Sequence, residues 1–140
     1  MPRAFIHIDV TIAVSATPQN LGASLSVAQL QLLLGSEVVL ALQTGSPQPA
    51  PHAPATIDQI AEKFSARMLS FQAHTANAGA VFIGGNSSVT SSSWGWFIPI
   101  PSTSVPAPPL LLDAEGSVKL TDFWISGTAG DVLHLMIHAW

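Results

Sequence analysis

The sequence predicts an all-β sandwich, and three observations carry that expectation. Apolar and polar residues alternate along the first strand-length segment and again along the last. Prolines, glycines and serines punctuate the chain at short intervals. Long crossover helices and continuous Val/Ile runs, which parallel βαβ units need, do not occur.

Ala4, Ile6, Ile8, Val10, Ile12 and Val14 share one parity, and His7, Asp9 and Thr11 share the other. A period of two puts the first set on one face of a strand and the second on the opposite face. Thr17-Pro18-Gln19-Asn20-Leu21-Gly22 reads as a turn. From Ser26 to Leu34, Val27, Leu30, Leu33 and Leu34 recur at helical spacing, with Ser24 or Ser26 as N-cap and Gly35 as the stop. Leu32 breaks that spacing and leaves an irregular strand as the alternative. Glu37 to Gln43 (EVVLALQ) reads as a strand. Pro47, Pro49, Pro51 and Pro54 make the segment from Thr44 an extended loop or arm, because proline cannot donate to a ladder.

Thr56, with Gln59 at capping-box distance, opens a helical turn through Phe64. Leu69, Phe71 and Ala73 alternate with Ser70, Gln72 and His74 in a further strand. From Gly79 the texture is β throughout: AVFIGG, WGWFIPIP, a second proline-rich stretch to Pro109, LLLD, VKLTDFWIS and VLHLMIHAW. DAEGS, from Asp113, reads as a hairpin loop. In the last strand Leu133, Leu135, Ile137 and Ala139 oppose His134, Met136, His138 and Trp140. Seven or eight strands is the number a jelly roll needs. The expected class is therefore an all-β, jelly-roll-like β-sandwich with one or two short helices and Pro-rich loops, built by residues 1–140 as a single domain.

Charged residues make up 9% of the chain, against about 25% in ordinary soluble domains. The mean hydropathy is +0.43. Such a chain covers its outside with Ser, Thr, Gln, Ala and Pro, or with other proteins, and charge depletion marks interface cores. Arg3, Lys63, Arg67 and Lys119 form no basic stripe, so nucleic acid is not an expected partner. The absence of cysteine excludes disulfides and thiolate metal sites. His7 and Asp9 interrupt the apolar start that would otherwise resemble a leader peptide, and no window reaches spanning length without polar breaks. A protein made in a cytoplasm, without a membrane partner, is expected.

Catalytic chemistry is not expected either. No Gly-x-Ser-x-Gly elbow occurs, and the run Asn86 to Ser93 reads as a polar loop. His134 and His138 lie on one strand face, but four residues at about 3.3 Å each place them far apart for a shared ion. With His7 elsewhere and no further ligand to name, no metal and no cofactor are expected. Asp113, Glu115 and Asp122 could serve glycosidase or calcium chemistry, yet a solvated turn needs them just as well. Trp94 and Trp96 share parity and would project together, as core residues, as an interface anchor or as a sugar-stacking platform. The candidate partner interface is Trp94, Trp96, Phe97 and Trp140, joined by the pre-extended Pro47, Pro49 and Pro51.

GAVFIGGNSSVTSSSWGWFIPI and PLLLDAEGSVKLTDFWISGTAGDVLHLMIHAW, across residues 79 to 140, resemble the end of small structural proteins of tailed bacteriophages. The shared features are a strand running into an IGG/NSSVT turn, an apolar patch with proline, a hairpin, and a last strand ending on an aromatic. Size, β-rich reading and sparse charge are similar to jelly-roll cement proteins of phage heads, such as that of a Bordetella phage. The resemblance implies a small homo-oligomer, a dimer or else a trimer, bound to the major capsid protein lattice on the exterior of a virion assembled in the host cytoplasm. The alternative is a receptor- or glycan-binding module of a tail fibre.

Overall fold

A computed structural model describes residues 4–45, 54–100 and 110–139, without the side chains of 4, 110–117 and 139. Strands β1 (Ala4–Thr11), β3 (Ala66–Ala73), β6 (Leu110–Val118) and β8 (Val132–Ala139) form one antiparallel sheet in the order β1-β8-β3-β6. Strands β2 (Gln19–Asn20), β4 (Val81–Gly84), β5 (Trp96–Ile98) and β7 (Trp124–Ser126) form the other, ordered β2-β7-β4-β5. Apart from the β4–β5 hairpin, every connection carries the chain from one sheet to the other.

The alternation read from the sequence is the geometry of this two-layer packing. Ile8, Val10, Leu69, Phe71, Leu133, Leu135 and Ile137 line the inner face of the first sheet, and Val81, Ile83, Ile98 and Ile125 that of the second. Phe71 meets Phe123 edge-on across the layers, with ring centroids 5.6 Å apart.

Three helices overturn the all-β class: α1 (Val27–Leu34), α2 (Ser36–Thr44) and α3 (Ile57–Ala61) make the fold a mixed α/β one, with two sheets, rather than the expected all-β jelly roll. All three lie between β2 and β3 and send Leu30, Val39, Ile60 and Ala61 into the same core. Of the two serines read as N-caps, Ser26 caps α1: its Oγ accepts from the Gln29 N–H, and Gln29 Oε1 accepts from the Ser26 N–H. The Gln29 amide also donates to the Asp9 carbonyl at 2.7 Å, tying α1 to β1. Gly35, at φ +95°, ends α1 and starts α2 in a conformation that side chains disfavour.

Helix α2 occupies the segment expected as a strand. Val39 is buried and Leu42 partly so, three residues apart, whereas Val38 and Leu40 are exposed. A strand would have put Val38, Leu40 and Leu42 on one face; packing against α1 selects the helical pairing instead. The supposed hairpin at DAEGS is likewise part of a strand. Met68 pairs with Asp113 and Ala66 with Val118, so β6 inserts extra residues opposite β3 as an irregularity of the ladder. Leu120–Asp122 is a short 3-10 turn, which splits the expected VKLTDFWIS strand and passes the chain between sheets.

Two of the inter-sheet connections are clamped together by buried polar groups. The Asp131 carboxylate accepts from the N–H groups of Ala78 and Gly79, both at 2.9 Å. The Asn77 side chain accepts from the Val132 N–H and donates to the Val132 carbonyl. Asp131 is 5% exposed, so Asp131→Ala strands two backbone donors away from water. A loss of about 3 kcal/mol in chemical denaturation is the expected result; a change below about 1 kcal/mol would mean that water replaces the carboxylate.

Candidate functional site

The β4–β5 hairpin positions the aromatic residues. Its register pairs Val81 with Ile98, Phe82 with Phe97 and Ile83 with Trp96. Because Val81 and Ile98 face the core, Phe82 and Phe97 stand on the outer face, with ring centroids 5.6 Å apart. Trp94 joins them, 5.6 Å from Phe97 and 6.5 Å from Phe82. The loop between the strands is held by its own polar groups: Ser88 donates to Asn86 Oδ1, and Thr90 and Ser93 bridge.

Trp94 and Trp96 do not project together. Trp94 precedes the strand, and the intervening Gly95 donates to the Ile83 carbonyl at 2.8 Å, turning the chain before β5 begins. Trp96 therefore lies on the opposite face, against Phe123 at 6.1 Å. There it lines an apolar cavity of about 140 Å³ with Ile83 and Phe123. Trp94 is 49% exposed and Phe97 46%, which excludes both from the core. Trp96 is intermediate in role, edge packing on one side and open on the other. Trp140, Pro47, Pro49 and Pro51 lie outside the described residues.

A groove of about 250 Å³ beside Trp94 is lined by Asn86, Ser88 and Ser93 as well as by the indole. Apolar exposure continues on the helices, where Leu32, Val38 and Leu40 are turned to solvent. Among the described residues, no helix is long and apolar enough to cross a membrane.

A second cluster sits on the outer face of the other sheet. Asp9 of β1 is the ladder partner of His134 of β8, and His7 lies two residues along on the same face. His134 Nδ1 and His7 Nε2 approach the same Asp9 oxygen, at 2.6 and 2.7 Å. His134 Nε2, on the far side of the ring, is 3.0 Å from His74 Nδ1, just beyond β3. Burial acts to raise the Asp9 carboxyl pKa, but the hydrogen bonds and positive charge of His134 and His7 outweigh it and hold the group below its ordinary value. His7, Asp9 and His134 offer ligand atoms that all lie within 4.8 Å of one another.

The fold thus brings His7, read from the sequence as lying elsewhere, beside His134 on one carboxylate. Spacing along the last strand sets His134 apart from His138, whereas the neighbours of His134 come from β1 and from the residue just beyond β3. The parity shared by His7 and Asp9 was visible in the sequence. Pairing of the first strand with the last, which brings His134 to them, was not.

Comparison with family models finds no match, and comparison with curated proteins and with solved structures finds no similar protein either.

Proposed function

We propose that this chain is a non-catalytic structural protein that binds the outer surface of a major capsid protein lattice and stabilises the head, in the manner of a phage cement protein. The observation that carries this reading is the pair of half-exposed rings, Trp94 and Phe97, packed on Phe82 on an outer sheet face. Aromatic rings are enriched among the residues that dominate interface energetics. Packed against each other at tilted angles, these rings lose little side-chain freedom when a partner covers them. Leu32, Val38 and Leu40 provide further apolar surface on other elements, as a protein that touches more than one neighbour requires. A chain with 9% charged residues has few charges to desolvate in such contacts. Self-association as a dimer belongs to the same proposal, as does a location on the capsid exterior.

Purified protein should bind preformed heads that lack it and raise their disruption temperature. Binding only to the assembled lattice stabilises it by about 2.7 kcal/mol per site at a hundredfold excess over the dissociation constant. Absence of binding to any head would remove the assignment.

A second reading, a receptor- or glycan-binding module of a tail fibre, draws on the groove beside Trp94. Asn86, Ser88 and Ser93 supply polar groups next to an aromatic plane, the combination a sugar ring uses. Binding on a glycan array, with no binding to heads, would select this reading over the first.

A further inference from the structure

We propose that His7, Asp9 and His134, with His74 behind them, form a binding site for a divalent first-row transition ion of the zinc class on the outer face of the β1-β8-β3-β6 sheet. The ligand atoms already converge: His7 Nε2 and His134 Nδ1 stand 2.7 and 2.6 Å from one Asp9 oxygen. Ligands of a tetrahedral ion with bonds near 2.0–2.1 Å are about 3.3 Å apart. An ion between them requires these two contacts to open by roughly 0.7 Å and the two histidine nitrogens, within 4.8 Å of each other, to come to the same spacing, an adjustment of the exposed His7 and Asp9 side chains.

Two imidazole nitrogens and one carboxylate oxygen suit zinc, nickel, copper or ferrous ions, whereas magnesium and calcium favour all-oxygen shells. The backbone does the positioning. Asp9 and His134 are held opposite each other by the β1–β8 ladder, and His7 by the same strand. The site is thus assembled on paired strands rather than on a loop.

His74 supplies the feature that separates this cluster from a chance group of polar side chains. A ligating histidine almost always engages its second ring nitrogen with a fixed partner, which sets the tautomer. Here His134 Nε2 meets His74 Nδ1 at 3.0 Å, leaving Nδ1 as the atom aimed at Asp9 and His7. The backbone N–H of His74 in turn donates to the Val132 carbonyl at 3.1 Å, so the chain that carries the outer partner is anchored to β8. With three protein ligands, the ion keeps one position open toward solvent, where His7 and Asp9 are about half exposed.

The experiment titrates zinc(II) into untagged full-length protein by calorimetry, with magnesium(II) as the control. In parallel, the histidine ring nitrogens are followed by ¹⁵N NMR. One zinc per chain is expected, with no magnesium binding, and with coordination shifts at His7 Nε2 and His134 Nδ1. Asp9→Asn and His7→Gln should each weaken zinc binding tenfold or more, and His74→Phe by about ten- to a hundredfold through loss of the outer partner. Absence of stoichiometric zinc binding overturns the proposal. So does zinc binding that survives Asp9→Asn and His7→Gln unchanged, or shifts confined to His138. Should a variant fail to fold, the nitrogen shifts of the unaltered protein still decide.

Discussion

On the proposed cement role, Trp94→Ala with Phe97→Ala should weaken head binding about a thousandfold while leaving the protein folded. Interface anchors cost about 2 kcal/mol or more each when truncated, and 1.4 kcal/mol is tenfold in affinity. Loss of both should therefore weaken binding by about three orders of magnitude, measured by co-sedimentation with heads. Both rings are about half exposed and pack mainly on each other and on Phe82. The cost to folding should stay near the range of surface substitutions, within about 1 kcal/mol. Trp96→Ala makes the useful contrast, because its ring faces the other way and rests on Phe123. It should lower stability more and affinity less than Trp94→Ala does. Full-strength decoration by a folded Trp94→Ala/Phe97→Ala protein would exclude this face from the contact.

Phe71→Ala should produce the largest loss of stability, about 3–5 kcal/mol, the range for truncating a buried aromatic. Phe71 has no exposed surface and sits on the inner face of β3, at the middle of its sheet. Its edge-on contact with Phe123 is one of the places where the two layers touch. Truncation leaves a cavity between sheets whose backbones are held by ladders on both sides, so collapse is limited. Marginal domains have only about 5–15 kcal/mol in hand, and the variant should melt far below the parent in calorimetry. Phe97→Ala removes the same side chain from an exposed face and should scarcely move the melt. Equal losses for Phe71→Ala and Phe97→Ala would contradict the two-layer core.

Much of the strand and cap chemistry was legible locally. The parity of Ile8, Val10 and Ile12 and of Leu133, Leu135 and Ile137 named the core faces, because burial on one side of a pleat imposes a period of two. Thr56 with Gln59 marked a helix start, because capping is a contact between residues three apart, whereas the choice between Ser24 and Ser26 was made by the Gln29 contacts of the fold. The segment EVVLALQ was decided otherwise: its valines favour a strand, and only the neighbouring α1 and the core around Val39 make the helix the better burial. Together α1, α2 and α3 move the class from all-β to mixed α/β, a change that local propensity did not carry.

Both candidate sites depended on pairing across long stretches of chain. Trp94 and Trp96 share parity in sequence, but the turn at Gly95 is set by its bond to the Ile83 carbonyl, and so the two indoles part. His7 and Asp9 announced a polar strand face; His134 and His74 reach it because β8 lies between β1 and β3. A sequence specifies which face of a strand is polar through nearest-neighbour alternation. Which strand lies beside it is a choice among loop closures and packed layers, and that choice is made by the tertiary structure alone.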